Sequence, residues 1–165
     1  LCHTNESITW YQNNVVFKEN SGVSISNDWS LMNITNCLFE SNNGTLLHMA
    51  GTDSSHISFI KNTVINKNQI YGSNAALIVF QESIKNLFSA STHFLYVNIT
   101  NNIGTLAATQ VSSSNVGNKV WPCPETYNAS QLTWNYVQFE NNTLGSVSGT
   151  HLMNLQYVNM RMNEV

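Results

Sequence analysis

"VQFENNTLGSVSG", residues 137–149, is a short apolar run closed by paired asparagines and a glycine, and "CLFESNNGTLLHMAG", residues 37–51, says nearly the same thing 100 residues earlier. Aligning the two brings out one pattern in six places: an apolar anchor, two spacers, then Asn. The copies are "FKEN" at Phe17, "FESN" at Phe39, "INKN" at Ile65, "ITNN" at Ile99, "FENN" at Phe139 and "MRMN" at Met160. The three residues before each anchor also agree ("NVV", "NCL", "NTV", "YVN", "YVQ", "YVN"), and a glycine follows the first five, at Gly22, Gly44, Gly72, Gly104 and Gly145.

The anchors are 22, 26, 34, 40 and 21 residues apart. About 21–22 residues is one turn of a parallel β-solenoid, and the longer spacings are loop insertions of the kind repeat architectures tolerate. The spacing therefore predicts one solenoid over residues 1–165, all-β, a right-handed parallel β-helix of about six coils with its longest insertion at 103–135. The alternative is an antiparallel β-sandwich whose Asn-rich turns coincide.

Side-chain alternation puts each anchor on the same face as the residue two before it. Phe17, Phe39, Ile65, Ile99, Phe139 and Met160 are expected to stack as a core ladder, beside Val15, Cys37, Thr63, Val97, Val137 and Val158. The asparagines three after the anchors, Asn20, Asn42, Asn68, Asn102, Asn142 and Asn163, are expected at turns, where Asn tolerates left-handed dihedrals, and as an amide ladder from coil to coil. Directly after the anchors, Lys18 meets Glu40 and Glu140 meets Arg161, two opposite-charge pairs at neighbouring positions.

The F-x-x-N motif with its following glycine-rich segment resembles the repeats of polymorphic outer-membrane proteins. It also resembles, more broadly, the pectin-lyase-like parallel β-helix surface proteins of bacteria and single-celled eukaryotes. The resemblance covers residues 14–163 and implies a right-handed β-helix displayed at a surface. The family's glycine pair followed by Ala and an aliphatic residue survives only as "NGTLL", "GSNAALI", "IGTLAA" and "LGSVSG".

Composition narrows the function. Charged residues are 9% of the chain, against a usual quarter. Polarity comes instead from 26 Asn, 19 Ser and 14 Thr. A net charge of −3 with one arginine offers no basic stripe, so nucleic acid is not an expected partner. The longest apolar run, "AALIVF" at 75–80, is too short for a membrane span. The chain begins at Leu1, which fits either a removed leader or a window on a longer chain.

Catalysis on a β-helix needs clustered carboxylates, and the two aspartates, Asp28 and Asp53, read as solvated turn residues. Glu40 and Glu140 share a column but lie three coils apart. His3, His48, His56, His93 and His151 are scattered, with only His48 and His56 flanking one turn. Neither a G-x-S-x-G elbow nor a phosphate-binding glycine loop occurs. Cys2, Cys37 and Cys123 have no metal-ligand spacing and fit one disulfide plus a free thiol, or three buried thiols. Trp10 and Trp134 stand in matching contexts and read as packing residues; Trp121, in the longest insertion, is the candidate contact residue.

The sequon N-x-[ST] occurs at Asn5, Asn33, Asn43, Asn98, Asn128 and Asn141, about the number chance would supply at this composition. By position, Asn43, Asn98 and Asn128 are expected to be open to a glycan and Asn141 to face inward. The expectation is a secreted or surface-displayed structural or adhesive glycoprotein with no catalytic site, no cofactor and no metal. Its partners would be N-linked glycans and like subunits or further repeats of the same chain, stacked as a rod or filament. The rival is a carbohydrate-binding or polysaccharide-degrading β-helix.

Overall fold

A computed structural model describes residues 9–27, 31–50, 57–72, 75–82, 91–111, 130–143, 152–154 and 158–165. These contain sixteen strands, numbered in chain order, in three sheets. The first sheet holds β1 (Thr9–Asn13), β4 (Leu31–Thr35), β7 (Ile57–Lys61), β10 (Ser91–Leu95), β13 (Ser130–Asn135) and β16 (Val158–Asn163). The second holds β2 (Val16–Lys18), β5 (Leu38–Glu40), β8 (Val64–Asn66), β11 (Asn98–Thr100) and β14 (Gln138–Glu140). The third holds β3 (Ile25–Asn27), β6 (Leu47–Ala50), β9 (Ile78–Glu82), β12 (Ala107–Val111) and β15 (Met153–Asn154).

Every pairing is parallel, and every strand pairs with the strand three elements away. The chain thus visits each sheet once per coil, as a parallel β-helix, wound in the right-handed sense that parallel crossovers take. The all-parallel pairing sets aside the antiparallel sandwich, which would join strands by hairpins.

The corners show why such short strands suffice. A left-handed residue ends each first-sheet strand: Asn14, Asn36, Asn62, Tyr96, Tyr136 and Glu164, at φ 49–58°. A second ends each second-sheet strand: Glu19, Ser41, Lys67, Asn101 and Asn141, at φ 53–56°. One such residue bends an extended chain sharply, so four residues, three of them in the strand, bridge two bends. Each bend costs on the order of 1 kcal/mol for a residue with a Cβ, less for Asn.

Inside, the register stacks like on like. Phe17, Phe39, Ile65, Ile99 and Phe139 are successive partners in the second sheet. The Phe17 and Phe39 rings lie 4.7 Å apart and 6° from parallel, which is the strand spacing itself. In the first sheet Ile34, Ile60, Phe94 and Trp134 form the matching column, with Phe94 and Trp134 stacked at 4.1 Å. Ile25, Leu47, Ile78 and Ala107 close the core from the third sheet.

The sixth motif does not join this pattern. Met160 pairs with Leu132, and Asn163 with Asn135, both in the first sheet, so Met160 is not a sixth anchor and Asn163 not a sixth rung. "MRMN" meets the spacing, but its corner follows instead of preceding it: Glu164 has φ +50° and aligns with Tyr136. Arg161 consequently pairs with Thr133 and not with Glu140. Glu140 accepts from Gln138 Nε2 at 2.9 Å. The expected insertion also shrinks. Ala107–Val111 and Ser130–Asn135 are regular strands, so the extra length of 103–135 falls between Val111 and Ser130.

Two glycines test the close stacking. Gly44 has φ +137°, and a Cβ there would overlap the Gly22 carbonyl; Gly22 has φ +90° with open space around it. Gly44→Ala is expected to destabilise by about 3 kcal/mol or more and Gly22→Ala by about 1 kcal/mol, read as urea midpoints at unchanged slope.

Candidate functional site

The most organised chemistry among the described residues is a column of side-chain amides inside the second corner. The left-handed conformation belongs to Glu19, Ser41, Lys67, Asn101 and Asn141, whose side chains are exposed. The asparagine that follows each of them turns inward. Asn42, Asn68 and Asn102 are 0–1% exposed. The expected left-handed asparagine is thus the neighbour of the ladder asparagine, which is why the corner accepts Glu, Ser or Lys while the rung is Asn every time.

Each rung repeats one set of bonds. The backbone N and Nδ2 of Asn20 both donate to Asn42 Oδ1, at 2.9 and 3.0 Å. Those of Asn42 donate to Asn68 Oδ1 at 2.9 Å each. Asn68 does the same to Asn102 at 2.9 and 3.0 Å, and Asn102 to Asn142 at 3.0 and 2.9 Å. The second Nδ2 hydrogen reaches back to the anchor carbonyl of the preceding coil: Asn42 to Phe17, Asn68 to Phe39, Asn102 to Ile65 and Asn142 to Ile99, at 2.7–2.9 Å. Backbone pairing lapses at this bend, and the amide bridges the gap. A side chain with two donors and one two-lone-pair acceptor satisfies every position, and Asn is the one with the right reach. Met160 and Asn163 stand outside this column, in the first sheet.

Outer surfaces carry looser ladders. Asn36 donates to Asn13 and Asn62 to Asn36, at 3.1 and 3.3 Å. Where the corner residue is Tyr, the rings of Tyr96 and Tyr136 stack at 4.8 Å instead. Lys18 Nζ lies 3.1 Å from Glu40 Oε2. That hydrogen bond, then the charges of Glu40 and Glu19, raise the lysine pKa above its ordinary value.

The remaining candidates are dispersed. His48 meets Ser26 Oγ at 3.3 Å on the outer face of the third sheet. His93 lies between Phe59 and Thr133 on the first, stacked on the Phe59 ring at 5.3 Å; burial holds its pKa below the ordinary value. Glu40 and Glu140 are separated by β8 and β11. Among the described residues no three His, Cys, Asp or Glu side chains come together, and no helix is long and apolar enough to cross a membrane. Cys37 is a buried free thiol near the Thr35 carbonyl. Trp134 is fully buried whereas Trp10 is 36% exposed, and they occupy different columns, opposite Phe94 and Met32. His3, His56, His151, Asp28, Asp53, Cys2, Cys123 and Trp121 lie outside the described residues, as do the sequons at Asn5 and Asn128.

The other four sequons differ in setting. Asn43 and Asn98 are exposed. Asn33 is half-buried in β4, its Oδ1 accepting from Thr35 Oγ1 at 3.1 Å. Asn141 corrects the inward expectation: it is exposed, because its left-handed backbone breaks the alternation on which that expectation rested. Comparison with family models, with curated proteins and with solved structures finds no match to this chain.

Asn68→Ala removes four hydrogen bonds and leaves buried partners in two coils unpaired, so it is expected to destabilise by about 4 kcal/mol. Asn20→Ala loses one bond at an exposed rung and is expected to cost about 1 kcal/mol. Denaturant midpoints of both variants check the contrast. The depressed His93 pKa gives a pH signature. The unfolded chain binds the proton more readily, so stability is full above the ordinary imidazole range, about pH 6.5, and falls as pH drops through it. Melting curves across that range are expected to show this slope, reduced in His93→Gln.

Proposed function

We propose that this chain is an extracellular structural or adhesive β-solenoid glycoprotein, a segment of a rod-like surface assembly built on repeats akin to those of polymorphic outer-membrane proteins. The observation that carries the reading is the unbroken amide column from Asn20 to Asn142, which runs along the stacking axis and ties each coil to the next. From Asn42 to Asn102 it adds a buried polar spine, each carboxamide bonded to both neighbouring coils, to the backbone ladders, so bending or shearing the stack breaks several bonds at once. Such a spine serves stiffness and contributes no reacting group.

Two further features support the placement outside a cell. The exposed sequons Asn43, Asn98 and Asn141 lie on or beside the second sheet, where sugars would clothe one side of the rod. The surface depends on neutral amides and hydroxyls for its polarity, which suits neither nucleic acid nor an ionic substrate.

Native protein taken from its producing cells is expected to lose mass on enzymatic release of N-glycans, and antibody against it to label intact cells. An unmodified protein that labels only permeabilised cells would overturn the proposal.

A further inference from the structure

We infer that, of the four sequons described, Asn141 alone can receive an N-glycan once the protein has folded, and that Asn33, Asn43 and Asn98 are open to modification only before neighbouring coils dock. This rests on the glycoprotein reading above and adds an order of events to it. In the reaction the Asn amide nitrogen displaces lipid-linked pyrophosphate from C1 of an oligosaccharide donor. An N–C1 bond forms, the C1–O bond to pyrophosphate breaks, and the amide gives up a proton. The transferring enzyme must grip both the carboxamide and the hydroxyl two residues on.

Three sequons have that grip blocked by the stack. At Asn33 the Thr35 hydroxyl is spent on the Asn33 carboxamide itself, within a strand paired on both sides. Asn43 is exposed, but its backbone N–H donates to Asn20 O at 2.8 Å and that of Gly44 to Gln69 O at 3.0 Å, so coils on both sides hold it. Its threonine hydroxyl, on Thr45, donates to Ala76 O at 3.0 Å. Asn98 donates through its backbone to Thr63 O at 3.0 Å, and Thr100 Oγ1 to Asn66 Oδ1 at 3.2 Å. In the last two cases the hydroxyl is taken by a neighbouring coil.

The Asn141 sequon is also tied to a neighbouring coil, Thr143 N–H donating to Asn102 O at 2.9 Å and Thr143 O accepting from Gly104 N–H at 2.8 Å, but its exposure differs. The left-handed bend sends Asn142 inward and leaves Asn141 and Thr143 both exposed. This is the one described sequon in which both residues are exposed: Thr45 and Thr100 are half-buried behind exposed asparagines, and Asn33 and Thr35 are both half-buried. Exposure of Asn141 is a property of the corner: Ser41, Lys67 and Asn101 occupy the same position in other coils and are exposed, while at the position of Thr143 Asn43 and Ile103 are exposed and Gln69 is half-buried.

The test is glycosylation of the folded protein, made in a host that adds no N-glycans, by a purified oligosaccharyltransferase with lipid-linked oligosaccharide. Short peptides carrying each sequon serve as unfolded controls, and mass mapping reads each site. The expected result is transfer to Asn141 in the folded protein at a rate near that of its peptide. At Asn33, Asn43 and Asn98 rates at least about tenfold below their peptides are expected, since access there requires local opening. Folded Asn141→Gln is expected to take sugar at none of the four. Transfer to folded Asn43 or Asn98 at the peptide rate, or failure at folded Asn141 while its peptide reacts, would overturn the inference and leave the glycoprotein reading intact. Absence of glycans from native protein would remove that reading whatever the transferase does in vitro.

Discussion

A buried carboxamide that must find its own kind one coil away is the constraint on which the rest of this structure depends. Asn68 gives its side-chain and backbone N–H to Asn102, receives both from Asn42, and caps the Phe39 carbonyl. Nothing in an apolar interior substitutes for those partners, and a slip of one residue would leave all of them unpaired. A one-residue slip would also turn the inward anchors out and bring Lys18 or Glu40 into the core, so the apolar core and the amide column specify the same register.

Fixing the register at one corner frees the remainder of each coil to vary. The third sheet runs from Ile25 and Leu47 to Ala107, with side chains of different volume at one position. Coil lengths differ because extra residues enter between the third-sheet strand of one coil and the first-sheet strand of the next, as between Val111 and Ser130, and between second- and third-sheet strands, as between Asn66 and Ile78. A solenoid with nearest-neighbour contacts absorbs these changes locally. Its outside is left to surface chemistry, which here means amides, hydroxyls and stacked rings.

Much of this was legible in the chain. Five anchors, from Phe17 to Phe139, fall at paired positions, and the five asparagines behind them form the column. Both are periodic and chemically narrow, which is what a one-dimensional stack prints into sequence. The sixth copy misled because apolar-x-x-Asn also describes the end of a first-sheet strand: Met160 and Met162 alternate with polar residues up to Asn163. Backbone handedness was the concealed variable. Glu19, Ser41, Lys67, Tyr96 and Tyr136 all sit in the left-handed region, and none is a residue type that advertises it.

Taken by itself, the amino-acid sequence determined the repeat, the parallel β-helix and five of the six expected rungs, because each rung is an asparagine at a fixed distance from its own apolar anchor. Only the tertiary structure decided which side chains look inward and which sequon residues are exposed. Those outcomes turn on single left-handed residues and on hydrogen bonds between coils 22 to 40 residues apart, from Asn20 with Asn42 to Asn102 with Asn142. Asn141 is the clearest instance: simple alternation buries it, and one positive φ turns it out to solvent.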